Sequence, residues 1–243
     1  NGTTVFDSSR KSLSAEAVQT LTIRAGQLES QIIDLTKQES SLLAEIEARY
    51  KKIQKKYPDI YLSFDANGSF YEKDFPKMKA FAKLNVMIEQ PFPPSRIDIA
   101  QKARKKLPEM FVCLDESIKT MGDLKVAYQL KVMDELNLKP GRVGGLYNSL
   151  LMLDYCMKKG IPCWVGGMFE TGVGRTANLR VAQCLPKADA NDLSPSHRYF
   201  EEDIIEQPIQ MTKKGKVNAK SLNYAHVDDE IIEKYTVKKI VLK

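Results

Sequence analysis

The chain has 243 residues, 43% of them hydrophobic and 28% charged, with a formal net charge of +6. That is the composition of an ordinary globular protein, long enough for one large domain or two small ones. It holds no apolar run of about 18 residues, so no membrane-spanning helix is expected, and no signal-peptide pattern is visible.

The positive charge comes from scattered Lys-rich helix faces, two of which are the clearest. Lys51, Lys52, Lys55 and Lys56 form one; Lys102, Arg104, Lys105 and Lys106 form the other. Both are interleaved with apolar residues, which predicts solvated helix faces rather than a nucleic-acid surface, and no nucleic-acid-binding motif accompanies them. Cysteines stand at 113, 156, 163 and 184, with no Cys-x-x-Cys pair and no nearby His. That excludes a zinc or disulfide framework and predicts a reducing, cytoplasmic setting. Cys113, inside an apolar run, is expected to act as a small core residue.

In chain order, residues 1–13 are polar and aperiodic. Ser14 reads as an N-cap, and a helix is predicted to run to Lys56. Apolar residues follow a heptad along it. One row is Val18, Ala25, Ile32, Glu39, Ile46 and Ile53; the other is Leu21, Leu28, Leu35, Leu42 and Arg49. Only Glu39 and Arg49 break the apolar seam, and about five heptads exceed what a coiled coil requires. Three arrangements fit this pattern: self-association, a hairpin bent near Gly26, or packing on the rest of the chain. Tyr57-Pro58 ends the helix. The expected organisation is therefore residues 1–56 as leader and heptad helix, and 57–243 as a second domain.

The second domain reads as repeating βα units. Short apolar runs lead into Asp65-Ala66-Asn67, Glu89-Gln90-Pro91, Asp115-Glu116-Ser117 and Lys139-Pro140-Gly141-Arg142, about 25 residues apart. Helices are predicted over 75–82, 96–106, 120–130 and 146–159, with a strand over 131–138. A further strand, 162–165, leads into Gly166-Gly167-Met168-Phe169-Glu170, where small residues would let backbone approach a ligand. A helix opening at Gly174 and running to Cys184 would offer its N-terminus to an anion. Turns with short strands fill the tail. Such alternation predicts an α/β fold with a parallel sheet, a partial (β/α) barrel. In a barrel, residues at the carboxyl ends of the strands share one face, the face that carries chemistry. Converging carboxylates without His or Cys suit Mg²⁺, Mn²⁺ or Ca²⁺. Alternatively, each acid simply caps the helix after its strand, although caps explain the regular recurrence less well.

The ordered set DAN, EQP, DES, LKPGRVGG and GGMFETGVGR resembles the enolase superfamily, and within it the o-succinylbenzoate synthase / N-acylamino acid racemase family, over roughly residues 57–243. Asp192-Leu193-Ser194-Pro195 is similar to the last barrel strand of that family. The resemblance implies that Asp65, Glu89 and Asp115 bind Mg²⁺ (or Mn²⁺), with Asn67 and Glu116 orienting them. It implies that Lys139 flanks the α-carbon of a small carboxylate substrate, and that Gly167, Met168 and Glu170 contact that substrate. The family reaction begins with proton abstraction beside a carboxylate, and the metal stabilises the resulting negative charge. The family also carries a capping domain and a Lys-x-Lys motif on an earlier strand. Neither is recognisable before Tyr57, where the heptad stands. Two readings follow. One is a metal-dependent lyase or isomerase. The other is an inactive assembly protein or one part of a split enzyme, with a homo-oligomer or a barrel-completing chain as partner.

Overall fold

The computed structural model describes residues 15–84, 86–186, 190–217 and 225–240. They divide into two units at Ile60/Tyr61.

The first unit is a single helix, α1, Ala15–Lys56. It continues through Gly26, so of the three arrangements the hairpin bent there does not form; a lone glycine costs about 1 kcal/mol relative to Ala, which a helix this long tolerates. The predicted cap, Ser14, lies outside the described residues.

The second unit is a partial (β/α) barrel. Its strands are β1 Ser63–Asp65, β2 Met87–Glu89, β3 Phe111–Leu114, β4 Glu135–Leu138 and β5 Cys163–Val165. They form one parallel sheet in sequence order, and among the described residues no strand pairs with the far edge of β1. Helices α2 Phe75–Ala82, α3 Ile97–Lys106, α4 Met121–Gln129, α5 Leu146–Lys159 and α6 Gly172–Ala182 follow the strands in turn. A last helix, α7, covers Asp229–Tyr235.

Local chemistry sets these limits. Pro76 sits in the first turn of α2, where its missing N–H is no loss. Thr120 caps α4: its hydroxyl accepts from the Asp123 N–H at 3.2 Å, and the Asp123 carboxylate accepts from the Thr120 N–H at 2.8 Å. Gly160 ends α5 with a left-handed φ of 65°. Partnered residues in a parallel sheet share a face. Ile88, Val112, Leu114, Leu136, Leu138 and Val165 therefore point toward the helices, against buried Met78, Ile99, Leu124, Met152 and Leu153. Cys113 is fully buried, as expected.

Several boundaries differ from the expectation. The strand predicted over 131–138 begins at Glu135, because Lys131 adopts a left-handed φ of 54° and turns the chain. α6 opens at Gly172 rather than Gly174 and ends at Ala182 rather than Cys184. The predicted last strand, 192–195, reduces to a single parallel bridge between Gly166 and Asp192, and the expected short strands of the tail to the bridges Ile205–Val227 and Met211–Val217.

Candidate active site

The parallel registers bring the acidic strand ends together. Asp65 is aligned with Glu89, and Glu89 with Cys113, so Asp115 follows two residues later on the same face. Asn137, aligned with Trp164, shares that face on β4, and Lys139 follows it just past the strand. Asp65, at the end of the edge strand, and Asn67, in the loop after it, are exposed. Glu89 and Asp115 are 7% and 1% exposed, so their charges need compensation.

Each buried carboxylate has a defined partner. Asn137 donates from Nδ2 to Glu89 Oε1 at 2.6 Å. Lys139 Nζ donates to Asp115 Oδ2 at 2.7 Å, and Arg142 donates to Asp115 Oδ1. Burial is the main cause that pushes the Glu89 carboxyl up to about 7; Asp65 and Asp115 add to the rise, and Asn137 and Lys139 oppose it. Burial also raises Asp115, against the pull of Lys139 and Arg142.

The loops behind these groups are tightly determined. Gln90 is 1% exposed and held at a φ of 38°. Its Nε2 donates to the Phe92 carbonyl and the Ser117 hydroxyl, both at 2.7 Å, while its Oε1 accepts from the Asp115 and Ser117 N–H groups at 3.1 Å. The Asn67 N–H donates to Asp65 Oδ1 at 2.9 Å, which turns the loop after β1. Glu116 is less tied: among the described residues its buried Oε2 has no hydrogen-bond partner, and neither does Oδ1 of Asn137. Gly166 presses on the site, since a Cβ there would strike Asn137 Oδ1 and approach Lys139 Cε within 2.8 Å.

The β5 loop is held by bonds within its own chain. Glu170 accepts from the Met168 N–H at 2.7 Å and from Asn178 Nδ2 at 2.9 Å, and it pairs with the buried Arg175 at 3.2 Å. Gly167 leaves room for Arg175, whose guanidinium a Cβ would strike. Of this loop's predicted contacts, Met168 is exposed while Glu170 is directed into its own chain. The anion expected at the start of α6 is a side chain of the same chain: Asp203 Oδ1 accepts from the Gly172 N–H at 2.7 Å.

Asn137, Gln90 and Arg142 were not predicted from the sequence as site residues. Asn137 carried a signal, being a polar residue inside the apolar run Leu136-Asn137-Leu138. The bonds of Gln90 depend on the spacing of two strand ends, which the sequence alone does not give.

The donor set suits a hard divalent cation in kind and in strand position, being three carboxylates on neighbouring strand ends. As arranged, Asp115 is engaged by Lys139 and Arg142. Among the described residues no three His, Cys, Asp or Glu side chains are gathered to hold a metal ion. Lys139 and Arg142 thus supply the neutralising charge, and a cation at these carboxylates would compete with them for Asp115.

Comparison with known proteins agrees with this fold. The family described as enolase C-terminal domain-like matches residues 11–221. That match starts ahead of α1, earlier than the motifs alone indicated. The o-succinylbenzoate synthase of Geobacillus kaustophilus is 34% identical over 191 residues, 76% of this chain and 50% of its own length. The N-succinylamino acid racemase of Thermus thermophilus is 33% identical over 161 residues, 66% of this chain and 43% of its own. The crystal structure of an enolase-superfamily member from Listeria innocua superposes with a TM-score of 0.71 at 31% identity, over 78% of this chain and 51% of that one. The chain spans about half the length of the curated relatives it matches. With a family match over most of its length and a parallel βα repeat presenting acids and a lysine at successive strand ends, the chain belongs to the enolase C-terminal domain-like family.

Proposed function

We propose that this chain carries the carboxylate and lysine portion of an active site that removes a proton next to a carboxylate. The substrates would be small acids of the o-succinylbenzoate or N-succinylamino acid type, the classes named for its relatives. The observation that carries the proposal is the position of Lys139. Its Nζ projects from the end of β4 onto the row of strand-end carboxylates, with 15% of its side chain exposed. Similarity to named enzymes supports this reading over that of an inactive scaffold.

A divalent cation, Mg²⁺ or Mn²⁺, would be held by Asp65, Glu89 and Asp115 and would supply positive charge to offset the negative charge developing on the substrate. Lys139, released from Asp115, would accept the α-proton. Asn137 keeps Glu89 oriented through the 2.6 Å bond. Racemisation needs a proton acceptor on each face of the α-carbon, and Lys139 supplies one. One-face exchange is therefore the reaction proposed for this chain by itself. Full turnover is proposed for an assembly in which a second chain completes the barrel along the open edge of β1.

The test is solvent exchange. The chain is incubated in D₂O with Mg²⁺ and an N-succinyl amino acid, and the α-proton is followed by NMR. Exchange that requires Mg²⁺ and falls by about 10²–10⁴-fold in Lys139→Ala is expected, the usual contribution of a positioned base. Exchange unaffected by that substitution, or none in a folded, Mg²⁺-saturated sample, would overturn the proposal.

A further inference from the structure

The helix α1 has no part in the chemistry above, yet it carries an ordered apolar seam. Its 42 residues extend about 63 Å. Leu28, Leu35 and Leu42, each one heptad from the next, are 51%, 63% and 58% exposed. Ala25 is exposed as well. Leucines repeated at this spacing on an uncovered face match the seam of a coiled coil. The helix is not apolar enough to cross a membrane.

The charged positions of the seam and its flanks decide what covers it. In a parallel pair of copies every seam residue meets itself. Arg49 would then lie against the second copy's Arg49, and Glu39 against its Glu39, which places like charges together in an apolar interface. An antiparallel pair sets the two seam rows against each other instead. Counted along the sequence, the register that sets Ala25 opposite Leu42 also pairs position 32 with 35, 28 with 39, 21 with 46 and 18 with 49. No charged residue then faces its own kind. The same register puts Arg24 beside Glu45 twice along one flank, with Gln31 beside Gln38 between them. A slip of one heptad in one direction brings Arg24 against Lys52, and in the other Glu29 against Glu29. Glu45 already holds Arg49 of its own helix at 2.5 Å, so in the pair it would sit between two arginines.

We infer that α1 is a homodimerisation element that pairs antiparallel with α1 of a second copy, with Ala25 facing Leu42 and Arg24 facing Glu45. This inference is independent of the proposed reaction.

Two experiments test it on the full chain. Sedimentation equilibrium at about 100 μM is expected to give a dimer. Leu28→Asp with Leu35→Asp should weaken association by at least ~100-fold, since each Asp replaces a buried leucine in both copies. Trp164 fluorescence should stay unchanged, showing that the barrel unit remains folded. For orientation, Ala25→Cys and Leu42→Cys are made separately on a Cys184→Ser background and oxidised with diamide. Mixed samples should cross-link the two variants to each other, with little cross-linking in either alone. A monomer, a dimer indifferent to the paired aspartates, or Ala25→Cys cross-linking to itself would each overturn the inference.

Discussion

Replacing Glu89 by Gln isolates the electrostatic strain at the centre of the site. Burial holds the Glu89 carboxyl at about 7 rather than its ordinary 4.5. Between those values the unfolded chain has released a proton that the folded chain still keeps. Stability therefore falls as pH rises from about 4.5 to about 7, by up to about 3 kcal/mol. Gln has nearly the same shape, its carbonyl oxygen still accepts from Asn137, and it does not titrate. Asp115 is raised in both proteins, so its contribution largely cancels in the difference. The assay is urea unfolding across pH 4.5–8 with a chelator present, because a bound cation would favour ionised Glu89. The single tryptophan, Trp164, lies on β5 and reports the barrel unit. The stability advantage of Glu89→Gln over the parent chain should grow by about 2–3 kcal/mol from pH 4.5 to pH 8. Parallel pH profiles for the two proteins would refute the reasoning.

Other substitutions probe the frame. Gly172→Ala would drive a Cβ into the Ile205 side chain and against Asp203 Oδ2; a loss of about 1–3 kcal/mol is expected in the same urea assay. Thr120→Ala removes the α4 cap acceptor and should cost about 1 kcal/mol, with Thr120→Ser restoring most of it. Gly166→Ala should displace Asn137 and Lys139 together, which a crystal structure would show as loss of the Asn137–Glu89 bond. In the exchange assay, it should slow any Lys139-dependent reaction while leaving the far-ultraviolet circular dichroism unchanged.

The βα alternation was legible because each strand is a short apolar run ending in a polar tripeptide and each helix has its own punctuation. The ends of α2 and α5 were read from Pro76 and Gly160, and both stand where expected. The start of β4 was not legible: Val132 and Met133 are buried and apolar like strand residues, and only the left-handed turn at Lys131 excludes them. The last strand was expected from the resemblance of Asp192-Leu193-Ser194-Pro195 to the family, and it bridges the sheet at one position only. In the site, the spacing of Asp65, Glu89, Asp115 and Lys139 gave their common face. Their partners are set by three-dimensional reach, as with the bond from Arg142 to Asp115. Glu170 shows the same limit: the sequence places this acid in a glycine-rich loop, and only the fold shows its bonds with Met168, Asn178 and Arg175.

Gln90 has a consequence for how such a site tolerates changes of charge. The two buried acids sit on different strands, and each shifts its proton affinity when the other ionises. The loops that carry them are joined through an amide that donates twice and accepts twice and has no titration of its own. Protonation can therefore alter the field between β2 and β3 while the brace between their loops stays intact. A glutamate at that position would lose both donors and bring a third negative charge beside the other two. The neutral crosspiece separates the mechanics of the site from its electrostatics.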